Sequence, residues 1–305
     1  MPFLLAHLSD PHLGPLPRPR LRELAGKRLT GYVNYVRHRR TAHDMAALDA
    51  LVADMLAQKP DHIAVTGDLV NIALASEFTT ARAFMERLGS PDRVSFTPGN
   101  HDAYTPSAMP LIARSFAPWA MDDDARTSDD AGASGYPYLR RRGGVALIGV
   151  STAVPTGPFL ATGTVGAAQR ARVGELLAQA KAEGLKRLVM IHHPPHAAGA
   201  SRTRGLVDAA EFEALLARHG ADLVIHGHNH RFSCARLPGP DGNGIPVVGV
   251  ASASAAGRVD GGQSDHRAAY HLFTIGADGD GAITGRVRGL LPGLTEMGDM
   301  GEIPL

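Results

Sequence analysis

The 305-residue chain is poor in cysteine, in net charge and in long apolar runs, and each shortage closes off a class of protein. Its one cysteine, Cys234, excludes an intramolecular disulfide and any thiolate zinc cluster built from this chain alone. With 31 basic and 30 acidic side chains the formal charge is +1, so the chain as a whole does not attract nucleic acid, and no specific nucleic-acid binding is expected. No apolar run approaches the roughly 18 residues that suggest a membrane-crossing helix. The stretch Phe3 to Leu8 is too short for a signal-peptide core and is interrupted by His7, so the expected address is the cytoplasm. Internal repeats and extended low-complexity tracts are also lacking. What remains is 44% hydrophobic and 20% charged, an ordinary globular composition.

Against that background 15 histidines stand out. With thiolates unavailable, a metal site has to use His, Asp, Glu and Asn. Short apolar runs at Phe3 to Leu8, His62 to Thr66, Val94 to Thr97, Val145 to Val150, Leu188 to Ile191, Leu223 to Ile225 and Val247 to Val250 read as strands. Between them, Ala42 to Gln58, Ala75 to Leu88, Gly166 to Glu183 and Asp208 to His219 read as helices. Strands alternating with helices predict an α/β layered fold in a single domain over 1–305. The stretch 245–291 changes to strand-like runs between Gly-rich turns, and is expected to add antiparallel strands that complete a second sheet. Met121 to Gly135, acidic and rich in small residues, reads as a mobile loop. The tail after Leu291 shows no periodicity.

Five of the predicted strands run into polar residues with metal-binding capacity. They are Asp10-Pro11-His12, Gly67-Asp68, Gly99-Asn100-His101-Asp102, His192-His193 and Gly227-His228-Asn229-His230. Ligands of open α/β sheets bind outside the carboxyl ends of the strands, so these scattered blocks are expected to converge on one crevice. Asp10 with His12, and His228 with His230, stand at i and i+2, which in extended backbone directs both side chains to one side. Glycines 67, 99 and 227 are expected to let the backbone turn and approach a compact site. Mixed imidazole, carboxylate and amide donors suit manganese, iron, zinc or cobalt better than calcium.

This ordered series resembles the calcineurin-like metallophosphoesterase superfamily, and within it most nearly the bacterial cyclic-nucleotide and glycerophosphodiester phosphodiesterases. The resemblance implies a four-layer α/β/β/α sandwich of two mixed sheets flanked by helices, with two transition-metal ions. It implies that Asp10, His12, Asp68 and His230 hold the first ion. Asp68, as a bridge, then holds the second with Asn100, His192 and His228. His101, with Asn100, would meet the substrate phosphate and stabilise charge or protonate the leaving group, and Asp102 would orient its ring. The activity so implied is hydrolysis of a small phosphodiester or cyclic nucleotide by a metal-bridging hydroxide. The alternatives are a pyrophosphatase or phosphatase acting on a lipid-linked or nucleotide-sugar substrate at a membrane surface, and a non-catalytic scaffold of the same fold. His193 and His226 read as packing residues, with support of the metal ligands from behind as the alternative, and the remaining histidines, His43 among them, need no special role.

One segment goes beyond that pattern. Residues 14–41 form a basic insertion in which eight cations face one acid, Glu23, with Leu, Tyr and Val interleaved. A lid, a membrane-interface helix giving peripheral membrane contact through 18–40, an anionic-substrate funnel and a solvated basic helix all fit it. Arg28, Arg39 and Arg40 are its candidate substrate-binding residues.

Overall fold

The computed structural model describes residues 2–123, 135–242, 244–259, 265–276, 281–293 and 296–305. Most of the predicted mobile loop, Met121 to Gly135, lies outside them. The first half of the chain runs β1 (Phe3–Leu8), α1 (Lys27–Asn34), α2 (Arg40–Ala42), α3 (Met45–Ala57), β2 (His62–Val65), α4 (Ala75–Leu88), β3 (Val94–Phe96), α5 (Met109–Phe116), β4 (Tyr138–Arg142) and β5 (Val145–Gly149). The second half runs α6 (Ala167–Ala182), β6 (Lys186–Met190), α7 (Ala209–His219), β7 (Leu223–His226), β8 (Ser233–Pro238) and β9 (Gly244–Gly249). It ends with β10 (Ala256–Val259), β11 (Asp265–Arg267), β12 (Ala269–Ile275), β13 (Ile283–Leu290) and β14 (Met297–Ile303).

Two six-stranded mixed sheets result, ordered β14-β13-β12-β1-β2-β3 and β4-β5-β6-β7-β9-β8. Period-two alternation along each strand builds three separate apolar layers. Phe3 and Leu5 of β1, Val145 and Leu147 of β5, and Leu188 and Met190 of β6 share the layer between the sheets. The alternate residues Ala6 and Leu8 pack with α3 and α4, while Ala146, Ile148 and Val189 pack with α6 and α7. Three cores separate four layers, the expected α/β/β/α sandwich. At about 1.5–3 kcal/mol per fully buried aliphatic side chain, the middle layer is what holds the sheets face to face.

The stretch 245–291 does not behave as one unit. β9 lies in the sheet with β7, to which it is parallel, whereas β12 and β13 are antiparallel strands of the sheet that contains β1. The tail adds β14 beside β13.

Topology then positions the site. β1, β2 and β3 run parallel to one another, as do β5, β6, β7 and β9, so within each sheet the carboxyl ends emerge at one edge. A bridge between Ser9 and Ser252 and the bond from Ala253 N–H to Ser9 O join those two edges. The chain leaving β1 is therefore pinned to the chain leaving β9.

Candidate metal centre

Five loops deliver their side chains to this junction, and they do so on unusual backbone. Eight non-glycine residues among those described have positive φ, and five are Asp10 (53°), His12 (39°), Asp68 (56°), His228 (71°) and His230 (54°). Such conformations cost of order 1–3 kcal/mol each and persist only where surroundings impose them. The expected extended geometry at Asp10/His12 and His228/His230 is thus corrected: left-handed turns, not pleated strands, aim these pairs. Backbone bonds impose the turns, from Asp10 N–H to Gly67 O (3.0 Å), His12 N–H to Asp68 O (3.1 Å) and Gly227 N–H to His192 O (3.1 Å).

Of the three glycines, only Gly67 turns with positive φ. Gly99 and Gly227 matter through close approach. A Cβ on Gly99 would meet Asp68 Oδ1 and the His192 ring, and one on Gly227 would meet Ser9 Oγ and Asp10 Oδ2.

Asp10, His12, Asp68 and His230 each offer one donor atom within 4.8 Å of all the others, a grouping able to hold a metal ion. The His12 and His230 Nε2 atoms are 3.1 Å apart, Asp10 Oδ1 is 3.2 Å from His230 Nε2, and Asp68 Oδ2 is 3.8 Å from His12 Nε2. The far nitrogen of His12 faces Val70 O at 3.3 Å, and since a carbonyl only accepts, Nδ1 carries the proton and Nε2 the lone pair. His192 repeats the device, its Nδ1–H donating to Thr66 O at 2.6 Å and its Nε2 standing 3.4 Å from Asp68 Oδ2. The His228 ring lies 5.2 Å from that of His192. Asp68 thus stands between the first group and the pair His192–His228, beside the turn that carries Asn100.

Asp10 Oδ1, Asn100 Oδ1, His192 Nε2 and both ring nitrogens of His228 are buried and lack a hydrogen-bond partner. Each orphaned polar atom costs about 1–3 kcal/mol. These are hard and borderline donors on the loops at the junction of the two edges, of the chemistry that transition-metal cations take. The charges agree. Burial pushes the Asp68 carboxyl up, but His192 and His101 hold it well below the usual carboxylate range. His192, against its burial, is drawn up to about 9 by Asp68.

Sequence reasoning missed His43. Its Nδ1 faces Ser254 Oγ at 2.8 Å and its ring packs 4.8 Å from that of His12, so His12, His43 and His230 form a second grouping able to hold a metal ion. No motif surrounds His43, and only the path of the chain after β9 brings Ser254 to it.

Asp102 does not touch the His101 ring among the described hydrogen bonds. Its carboxylate instead accepts backbone N–H groups from Asp68 (2.9 Å), Leu69 (3.0 Å), Val70 (3.3 Å) and Gly99 (2.8 Å). It ties the Asp68 turn to the Asn100 turn, and its expected role at His101 is replaced by this one. The His101 ring is oriented by Asn71 O, which accepts from Nδ1, and by stacking on Tyr104 at 5.4 Å. Burial, and then the charge of Arg39, push His101 down to about 3. His193 is held at both nitrogens, by Thr152 Oγ1 (2.7 Å) and Ala161 O (3.1 Å), and His226 Nδ1 by Gly227 O (2.9 Å).

The basic insertion lies over this edge. Gly31 lets α1 rest on the Tyr104 ring, where a Cβ would collide. The three arginines of the insertion part company. Arg28 donates to Ile72 O and Ala73 O, which anchors the helix, and Arg40 is exposed. Arg39 ends a π-helical turn, Tyr35–Arg39, and its Nη1 stands 3.2 Å from His101 Nδ1 and 3.4 Å from His12 Nδ1. Both of those nitrogens already donate to carbonyls, so the contacts locate the guanidinium without satisfying it. Among the described residues no carboxylate comes within ion-pair distance of Arg39. A charged fork with no carboxylate partner among the described residues, beside a metal-binding cluster, is suited to an oxyanion.

A sequence profile of calcineurin-like phosphoesterases matches residues 3–232. The chain belongs to the calcineurin-like phosphoesterase family. Solved structures agree on the fold. A dimetal phosphatase from Danio rerio superposes with a TM-score of 0.62 at 13% identity, over 99% of both chains. A purple acid phosphatase from yellow lupin seeds gives 0.56 at 13% identity over 99% of this chain. The 5′-nucleotidase precursor of Thermus thermophilus gives 0.54 at 16% identity over 97%. This chain spans only 54% and 56% of those last two proteins. No curated protein matches the sequence. Among the described residues, no helix of this calcineurin-like phosphoesterase is long and apolar enough to cross a membrane.

Proposed function

We propose that the chain is a dinuclear-metal-dependent phosphodiester hydrolase acting on a small phosphodiester or cyclic nucleotide. One observation carries the reading. Buried donor atoms of Asp10, Asn100, His192 and His228 that lack a hydrogen-bond partner lie on the loops at the carboxyl ends of two sheets, beside an arginine with no carboxylate partner among the described residues. In this reading Asp10, His12, Asp68 and His230 hold one cation, and Asp68, Asn100, His192 and His228 hold the other. Such a pair, when bound, supplies Lewis acidity toward a phosphoryl oxygen and acidifies a water for attack on phosphorus.

The chain's own groups do the rest. Arg39 binds a non-bridging phosphate oxygen and stabilises charge that grows there during displacement. His101, its Nδ1 committed to Asn71 O, turns Nε2 toward the substrate. The negative charge of the bound anion raises its proton affinity, so that it takes a proton from solvent and donates it from Nε2 to the departing oxygen. Asn71 O is a neutral orienter, which favours the imidazolium less than a carboxylate would, so Arg39 carries the larger share of charge stabilisation. His43 lines the same pocket from the insertion side, and serves as a further donor near His12 and His230. Retention of every ligand position together with His101 speaks for an enzyme over a scaffold.

The test is hydrolysis of bis(p-nitrophenyl) phosphate and p-nitrophenyl phosphate by protein stripped of metal and then loaded with manganese. Turnover that needs the cation and favours the diester is expected. Bound metal without turnover overturns the enzyme reading, and preference for the monoester overturns the diester assignment.

A further inference from the structure

The segments framing the site also carry most of the exposed apolar side chains. Of the ten exposed large hydrophobic residues among those described, seven lie in the insertion and in two loops beside it: Leu21, Leu29, Val33, Val36, Phe159, Leu160 and Val207. Leu29, Val33 and Val36 stand at i, i+4 and i+7, one stripe along the helical insertion. They point away from the face that Arg28, Gly31 and Tyr35 bury. Phe159 is 86% exposed and Val207 72%.

These three segments form one rim. Lys27 Nζ donates to Thr156 Oγ1 (2.6 Å) and Leu160 O (2.9 Å), which ties the insertion to the first loop. Ala161 N–H bonds Thr203 O, and Val207 N–H bonds Gly163 O, tying the first loop to the second. The rim meets the site itself through Arg39, and through Arg204, whose Nη2 reaches His228 O at 3.4 Å.

Charge follows the same segments. Residues 14–42, 151–165 and 196–207 hold ten of the 31 cations and a single acid, Glu23, in a chain that is otherwise net acidic. That acid is used locally, its Oε2 accepting the Arg20 N–H at 2.7 Å. Arg18, Arg20, Arg22, Arg37, Arg40 and Arg202 are all exposed. A polyanion alone would answer the arginines but leave the apolar stripe in water. An anionic lipid bilayer answers both, with acyl boundary for the apolar side chains and headgroup phosphates for the cations.

We propose that this rim docks on an anionic lipid bilayer, with Leu29, Val33, Val36 and Phe159 entering the interface and Arg22 and Arg37 on headgroup phosphates. The site mouth then faces the membrane, which extends the substrates of the proposed hydrolase from small soluble diesters to phosphodiesters carried by amphiphiles. That consequence rests on the hydrolase reading, whereas docking itself does not.

The test is co-sedimentation of the full chain with phosphatidylcholine vesicles, with and without about a third phosphatidylglycerol, and without any substrate. Binding to the anionic vesicles that weakens with salt is expected. Leu29→Ser/Val33→Ser/Val36→Ser and Arg22→Glu/Arg37→Glu should each lower it by about tenfold or more. In both variants the melting temperature and hydrolysis of a soluble chromogenic diester should be retained. Failure to bind anionic vesicles overturns the proposal, and so does binding that the triple serine variant keeps. Light scattering supplies a further arm: a dimer that the serine variant dissociates, with no vesicle binding, would assign the stripe to a second copy. Loss of diester hydrolysis in the unaltered chain would leave the vesicle result standing and sink only the hydrolase reading.

Discussion

The Nε2 atoms of His12 and His230 lie 3.1 Å apart, although the two residues are 218 positions apart in the chain. Because His12 Nδ1–H faces Val70 O, the His12 nitrogen at this contact presents its lone pair. Asp10 Oδ1 approaches the same point at 3.2 Å from His230. Two imidazole nitrogens and a carboxylate oxygen so placed form a grouping able to hold a cation. The first prediction is therefore thermal. Chelation should lower the melting temperature, and manganese in excess should raise it, by about 2.7 kcal/mol of stability at a hundred times the dissociation constant. Asp10→Asn should lose most of that response in the same scan.

His192 makes the metal affinity depend on pH. In the metal-free chain its folded pKa is raised to about 9 by Asp68, against an ordinary value of 6.5. The stability this gives is fully present below about 6.5 and is lost as pH rises through 9. A ligand imidazole must be neutral, so cation binding at pH 7 has to expel that proton. Calorimetry in buffers of different ionisation enthalpy should report release of about one proton at pH 7, and less above pH 9. His192→Gln should abolish the release.

Asp102 tests the division between chemistry and scaffolding. Its carboxylate accepts four backbone N–H groups from two site turns, and an amide in its place would set an NH₂ against some of them. Asp102→Asn should cost about 3 kcal/mol of stability by urea denaturation and weaken metal uptake. His101→Gln should leave stability and metal content alone and reduce turnover. Equal stability of the two variants would mean that the backbone staple matters little.

Arg39→Ala should lower kcat/KM by about tenfold to a hundredfold, the worth of a charge-assisted hydrogen bond, through a fall in kcat as well as a rise in KM, while metal content by elemental analysis stays the same. Arg40→Ala should change neither. Rescue of the Arg39 variant by added guanidinium would place the effect on the missing fork.

Much of the fold was legible because its signals are local. β1 and α4 fall at the limits their apolar patterns set, and the other predicted strands shift by one to three residues at their ends, most at the start of β9. Elements without an apolar signature escaped. β4 reads YLRRR, yet Arg140 is fully buried because carbonyls of Met121, Pro91, Val94 and Pro118 accept from its guanidinium. β14, Met-Gly-Asp-Met-Gly-Glu-Ile, is an edge strand beside β13, and the residues it packs, Ile303 and Met300 on the middle layer and Met297 on the layer of α3 and α4, are too scattered among Gly, Asp and Glu to read as a strand. At the site, order and residue type were enough to bring the blocks together, but not to give their geometry. The i, i+2 spacing of Asp10 and His12 was sound for the wrong backbone. The fate of Asp102 and His43 depends on contacts with Gly99, Val70 and Ser254 that no local pattern encodes.

The most direct measurement is a metal titration of the stripped protein with activity followed alongside. Diester hydrolysis should appear only as the second equivalent of manganese binds, with two equivalents per chain at saturation by elemental analysis. Full activity at one equivalent, or two bound equivalents with no turnover, would contradict the account.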